Sequence, residues 1–126
     1  MSKFSPAVVA VAAGQREVEL TTHGRATGNP TRVIIWISPG EDGRFYIRSG
    51  GGLDRHWPRN FMARNEGLLH LVGHDVAVKV RHVTDAAEAR RVSGYVRSKY
   101  GESVKFSNDD EPLTPGEQAS FEILPA

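Results

Sequence analysis

Thr31-Arg32-Val33-Ile34-Ile35-Trp36-Ile37-Ser38 is the stretch on which the fold turns. β-Branched and aromatic side chains suit a pleated surface. The unbroken apolar run Val33–Ile37 predicts one strand covered on both faces. Before it, His23-Gly24-Arg25-Ala26-Thr27-Gly28-Asn29-Pro30 carries two glycines and a proline and reads as a turn. Before that, Arg16 to Thr22 alternates polar and apolar residues, as a half-buried strand does. On the other side, Pro39-Gly40-Glu41-Asp42-Gly43 predicts a hairpin loop. Arg44 to Arg48 then alternates, with Phe45 and Ile47 on one side and Tyr46 and Arg48 on the other.

The remaining elements follow from the same signals. Ser49-Gly50-Gly51-Gly52 ends the third strand, and Trp57 to Asn65 predicts a short helix with Pro58 in its first turn. Gly67–Val72 and Val76–Val83 predict two strands split by Gly73-His74-Asp75. A long helix opens at Thr84-Asp85-Ala86-Ala87-Glu88, with Thr84 as its expected cap, and stops at Gly101. Val92, Tyr95 and Val96 give it an apolar stripe. Residues 103–118 are polar, acidic and proline-containing, hence a loop, and Ala119–Leu124 predicts a last strand. The class is mainly β (α+β), with six antiparallel strands, one short and one long helix, and closure into a small barrel that removes exposed edges. The 126 residues suggest a single domain, 1–126, with residues 1–15 as a flexible N-terminal extension.

Composition narrows the chemistry. Apolar residues make up 39% and charged residues 25%, the balance of a soluble globular chain. With no cysteine, a disulfide framework, a thiolate nucleophile and a cysteine-ligated metal are all excluded. No run approaches the roughly 18 apolar residues of a membrane span. Pro6–Ala13 lacks the basic start and length of a secretory signal, so a cytoplasmic location is expected. The net charge of +1 is uneven: His23 to Arg64 holds seven arginines against three acids, net +4, whereas Gly101 to Ala126 holds one lysine against six acids, net −5. Arginine suits forked recognition of phosphate or carboxylate. The near-neutral whole, without a basic helix or ribonucleoprotein motif, argues against nucleic acid.

Three stretches are candidates for binding. Arg48-Ser49-Gly50-Gly51-Gly52 can form a backbone nest for an anion, next to a helix start flanked by Arg55 and Arg59; the alternative is a plain glycine linker. It is neither a Walker loop nor a dinucleotide fingerprint. Arg25 and Arg32 flank the tight turn 23–30, which is otherwise an ordinary hairpin loop. Trp57, Asn60 and Phe61 share a helix face, either as a wall for a flat ring or as core with Asn60 satisfying a backbone group. His70 and His74 lie four apart without a third ligand nearby, so no metal site is expected. Ser49 lacks a Gly-x-Ser-x-Gly elbow, which leaves serine hydrolysis without support.

Taken in order, Gly24-Arg25-Ala26-Thr27-Gly28-Asn29-Pro30, Arg32-Val33-Ile34-Ile35-Trp36, Arg44–Arg48, Ser49-Gly50-Gly51 and Trp57-Pro58-Arg59-Asn60-Phe61 resemble the flavin/deazaflavin oxidoreductase superfamily, with its pyridoxamine-phosphate-oxidase-like split β-barrel. The nearest likeness is to its deazaflavin-dependent nitroreductase branch, over about Glu17 to Tyr100. The likeness implies a homodimeric split barrel that binds coenzyme F-420, or alternatively FMN, in a cleft beside the subunit interface. It also implies hydride transfer to a small electron-poor acceptor such as a quinone, nitro compound or enone. Ala26 stands where the pattern usually has a second basic residue, and Ile34 where proline is frequent.

The resemblance makes Arg25, Arg32, Val33, Ile34, Ile35, Trp36, Arg48, Ser49, Gly50, Gly51, Trp57, Arg59 and Asn60 the expected cofactor-binding residues. The arginines, Arg55 with them, are expected on the phosphate or acidic tail. The Ser49–Gly51 N–H groups are expected on phosphate or the ring's polar edge, Trp36 and Trp57 as ring walls, and Asn60 as the orienting group. Tyr46 is a candidate proton donor, against the alternative of a buried strand tyrosine. The rival readings are an FMN oxidoreductase, a flavin-, haem- or lipid-binding module without turnover, and a barrel without cofactor that uses its surface for partners.

Overall fold

The computed structural model describes residues 4–50, 52–101 and 104–126. Its strands are β1 (Val18–His23), β2 (Pro30–Ile35), β3 (Ile37–Pro39), β4 (Phe45–Arg48), β5 (Gly67–Leu71), β6 (His74–His82) and β7 (Ser120–Pro125). They form one antiparallel sheet in the order β2-β1-β5-β6-β7-β4-β3. The helices are α1 (Pro6–Gly14), α2 (His56–Arg64), α3 (Ala86–Tyr100) and α4 (Pro115–Gln118).

The run expected as a single strand, Thr31–Ser38, is instead β2 and β3, which stand at opposite ends of the sheet. Only Trp36 separates them. Neighbouring Cα atoms lie about 3.8 Å apart, so the two ends of the sheet meet at this residue. The sheet curls into a split barrel, and the break accounts for seven strands where six were expected. The run is not covered on both faces either. Ile35 and Ile37 are buried, but Ile34 is 65% and Trp36 38% exposed. β2 is an end strand bonded only to β1, so only its inward side chains reach the core.

Inside the barrel, Val18, Leu20, Ile37, Phe45, Ile47, Leu69, Val78, Phe121 and Ile123 pack with Phe61 from α2. β4 serves two layers, as its alternation predicts. Phe45 and Ile47 point into the barrel, whereas Tyr46 packs outside it with Val83, Ala89, Val92, Val96 and Tyr100. Tyr46 also stacks on Tyr95 and lies 3.5 Å from Glu88, so it is the buried strand tyrosine of the alternative reading.

The segment expected as an N-terminal extension contains α1. The Ser5 hydroxyl accepts the Val8 N–H and Pro6 occupies the first turn, a start signal within the sequence. At the other end, the Lys99 ammonium donates to Ala12 O at 3.1 Å, Gln15 O at 2.7 Å and Ile37 O at 2.6 Å. A cation is favoured at a helix C-terminus, where carbonyls lack partners. The Tyr100 hydroxyl donates to Arg16 O at 2.6 Å and accepts from Ile37 N at 3.1 Å. The last turn of α3 therefore ties α1 to β3. The cap of α3 is Asp85, not Thr84, because the helix begins at Ala86 and the Asp85 carboxylate receives the Glu88 N–H. Within the expected loop 103–118, Thr114 and Glu117 form a capping box that starts α4. No helix among the described residues is long and apolar enough to cross a membrane.

Replacing Lys99 by Met removes a donor from the Ala12, Gln15 and Ile37 carbonyls, of which Ile37 O keeps the Tyr100 hydroxyl at 3.0 Å. The expected cost is about 2 kcal/mol, measurable in denaturant unfolding, with the exposed Lys79→Met as the control that leaves stability within about 0.5 kcal/mol.

Candidate functional site

A cleft of about 670 Å3 opens at the seam where the sheet's ends meet. One wall is Val33, Ile34, Ile35 and Trp36, the bend itself. The end of β4 with the turn after it, Arg48, Ser49 and Gly50, lines the cleft as well, followed by Arg55 and Trp57 at the start of α2. Val96 of α3 and Val104 with Lys105 complete it, and Glu17 is its one acid. Its size is that of a small-molecule site, about 300–1,000 Å3. Apolar walls and three lining cations, Arg48, Arg55 and Lys105, suit a flat ligand that carries negative charge.

The bend sets the aromatic wall. Trp36 stacks on Tyr100 with ring centroids 4.1 Å apart and planes 4° from parallel, and the Arg16 guanidinium lies 5.3 Å from the Tyr100 ring centre. Tyr100 is held by its bonds to Arg16 and Ile37, so the indole is fixed from behind. Trp57 leans on Phe121 and is half-buried.

Eight of the expected cofactor-binding residues meet here: Val33, Ile34, Ile35, Trp36, Arg48, Ser49, Gly50 and Trp57. Gly51 lies outside the described residues. Arg25 and Arg59 line a second, shallower groove of about 450 Å3 with Leu53, Met62 and Ala63. Asn60 does not face the cleft. Its Oδ1 accepts from the Arg25 N–H at 3.2 Å and from Arg25 Nη1 at 2.7 Å. Arg64 Nε donates to Gly24 O at 2.8 Å. Asn60 and Arg64 thus staple the turn 24–28 to α2, which matches the reading of Asn60 as satisfying a backbone group. Arg32 is ion-paired with Glu19 on the neighbouring strand.

The glycine turn differs from the expected nest. The Ser49 N–H already donates to Ala119 O at 3.0 Å, and the Gly52 N–H to Ser49 O at 2.9 Å. Gly52 has φ 88°, and a Cβ there would lie 3.3 Å from Pro115, so glycine is needed to pack against α4. Ser49 and Gly50 still line the cleft. α2 has no side-chain cap at Arg55, which itself lines the cleft.

Beneath the cleft lies a buried polar network that the sequence reading missed. Arg48 Nη1 donates to Ser93 Oγ at 2.7 Å, and Nη2 to Lys105 O at 3.0 Å. The Ser93 hydroxyl donates to Glu117 Oε2 at 3.1 Å. Glu117 is 0% exposed, and its Oε1 accepts the N–H groups of Ser107 and Thr114, each at 3.0 Å. Burial alone would raise the Glu117 carboxyl, but these donors more than reverse it and hold its pKa below the usual 4.5. Burial lowers the Arg48 pKa, opposed by Glu117. The readable signal was Thr114-Pro115-Gly116-Glu117, a capping box with proline at the first helical position. At the far side of β4, Arg81 grips Glu88 with two N–H groups and holds that carboxyl, too, below its usual value against the effect of burial.

A split barrel with a cationic, tryptophan-walled cleft at its seam is the class that fold and site define. The chain belongs to the family described as "Uncharacterized protein conserved in bacteria (DUF2255)", which matches residues 8–112. No curated protein matches the sequence. Among solved structures, a candidate 5-nitroimidazole antibiotic resistance protein from Bacteroides thetaiotaomicron is similar at TM-score 0.67 and 15% identity, over 99% of this chain and 81% of that one. The heme storage protein HutZ from Vibrio cholerae is similar at TM-score 0.65 and 13% identity, over 98% and 91%. An F-420-H2 dependent reductase (FDR-A) is similar at TM-score 0.54 and 17% identity, over 87% and 94%. These are likenesses of fold.

Glu117 and Glu88 have folded pKa values below the unfolded one, so their stabilisation is complete above about pH 4.5 and is lost as pH falls through the folded values. The thermal midpoint should hold from neutral pH to about 5 and then fall. Glu117→Gln should lower the neutral plateau and flatten the acid limb, as read by calorimetry across pH.

Proposed function

We propose that the seam cleft holds a tricyclic redox cofactor, coenzyme F-420 with FMN as the alternative, and that the protein is an oxidoreductase acting on small electron-poor acceptors such as quinones, nitro compounds or enones. The observation that carries this reading is the cleft itself: one bend of the chain supplies an apolar wall with Trp36, in a cleft also lined by Trp57 and three cations. The likeness in fold to an F-420-H2 dependent reductase supports the choice of cofactor class.

In this reading the chain supplies binding and placement, and the reduced cofactor, when bound, supplies the hydride. Val33–Ile35 and the two tryptophans hold the ring flat and exclude water from one face. Arg48, Arg55 and Lys105, with Ser49, receive the phosphate. α2 carries Trp57 in the cleft and Arg59, Met62 and Ala63 in the second groove. An acidic tail leaving past Arg55 therefore reaches Arg59 and Arg25. Arg32 drops out of this set, because Glu19 already holds it. Asn60 acts through the turn it staples rather than on the ring, and Tyr46 has no part in proton transfer.

A binding role without turnover is the second reading, favoured by the likeness in fold to a heme storage protein. Titration separates the two. F-420 or FMN at micromolar concentration should quench tryptophan emission, and Arg55→Ala with Lys105→Ala should weaken binding about tenfold or more, since each charge-assisted hydrogen bond contributes about 1.5–3 kcal/mol. Binding with no reduction of menadione or nitroaromatics leaves the binding role alone. Absence of binding to both cofactors removes the enzyme reading.

The reading includes a homodimer. Ile34 and Trp36 leave apolar surface open beside the cleft, on the face that a second copy would cover. Ile34→Lys should shift the protein to monomer in sedimentation velocity and weaken cofactor binding; an unchanged dimer would place the interface elsewhere.

A further inference from the structure

We propose that Ser93, buried on α3 behind the cleft wall, is the positioning residue that makes Arg48 a selector for phosphate-bearing cofactors. The inference rests on the cofactor reading of the cleft.

Arg48 lines the cleft, yet its guanidinium is anchored from behind. Nη1 is taken by Ser93 Oγ and Nη2 by Lys105 O. Gly116 packs so close that a Cβ there would lie 2.6 Å from Nη2 and 2.9 Å from Cζ. Two of the five guanidinium N–H groups are thus engaged, and the plane has one orientation. A fixed fork suits a phosphate oxygen pair, and the remaining N–H groups are those left for a ligand.

Ser93 is more than an anchor, because its hydroxyl stands between two opposite charges. It accepts from Arg48 and donates to the fully buried Glu117 carboxylate. Arg48 and Glu117 attract one another, and no direct ion pair within 4.0 Å forms between them. The serine spaces them apart, and Arg48 stays among the residues that line the cleft. Without the hydroxyl, Glu117 Oε2 loses its donor, and Arg48, at the other end of the lost bridge and attracted by Glu117, can replace it. The guanidinium would then turn inward onto Glu117, and its charge would be withdrawn from the ligand.

The test compares each tricycle with and without its phosphate: FMN against riboflavin, and F-420 against its phosphate-free deazaflavin core. Binding of each is followed by fluorescence in the full chain. Wild type should prefer the phosphate-bearing member. Ser93→Ala should weaken that member about tenfold and leave the phosphate-free member unchanged, which also reports that the cleft is still formed. Ser93→Thr, which keeps the hydroxyl, should restore the preference. Equal loss for both members, or no loss for either, would overturn the positioning role while the cofactor reading stands. A wild-type protein that binds the tricycle without phosphate preference would do the same. Failure of every tricycle to bind wild type would remove the cofactor reading and this inference together.

Discussion

The bend at Trp36 is the constraint on which the rest depends. A chain that runs from the first strand of a sheet to its last in one residue forces those two edges together. That single connection closes the barrel without a loop. It also places Ile35 and Ile37 inside while Ile34 and Trp36 remain outside. The cleft is what remains when the two edges meet without full pairing, so the same bend makes the fold and opens the site. Everything that steadies the bend also steadies the site: Tyr100 stacks behind Trp36, and Tyr100 and Lys99 both bond to Ile37.

The β4 side of the cleft is steadied by polar rather than apolar means. Arg48, Ser93 and Glu117 sit where hydrophobic packing would have been simpler. A fully buried carboxylate is tolerable only with its lone pairs filled, and Glu117 has three donors. The network joins β4, α3 and α4, which are far apart in the chain. It therefore fixes the Arg48 side of the cleft to the body of the protein.

Much of the site was legible, and the misses have a common cause. Val33 to Trp36, Arg48 to Gly50 and Trp57 were expected together and line one cleft. Arg25, Arg32, Arg59 and Asn60 were expected with them but face elsewhere. An arginine's side chain is long, and residue type alone does not say which neighbour it reaches. Glu19 claims Arg32 and Asn60 claims Arg25 only because strand register and helix docking bring them close. The Ser49 N–H looked free because its partner, Ala119 O, lies seventy residues later. Glu17 and Lys105 carried no local signal for the cleft at all.

By itself, the sequence determined the strands, the long helix and the alternation that lets β4 face two cores, because side-chain periodicity is a local property of the backbone. It also carried start signals at Ser5-Pro6 and Thr114-Pro115, which turn into α1 and α4. Tertiary structure alone decided that Thr31–Ser38 breaks, that the break closes the barrel, and which charges remain for a ligand. Closure depends on pairings between distant strands, and the freedom of a charged group depends on every carboxylate and carbonyl within its reach. Neither is a property of any short stretch of chain.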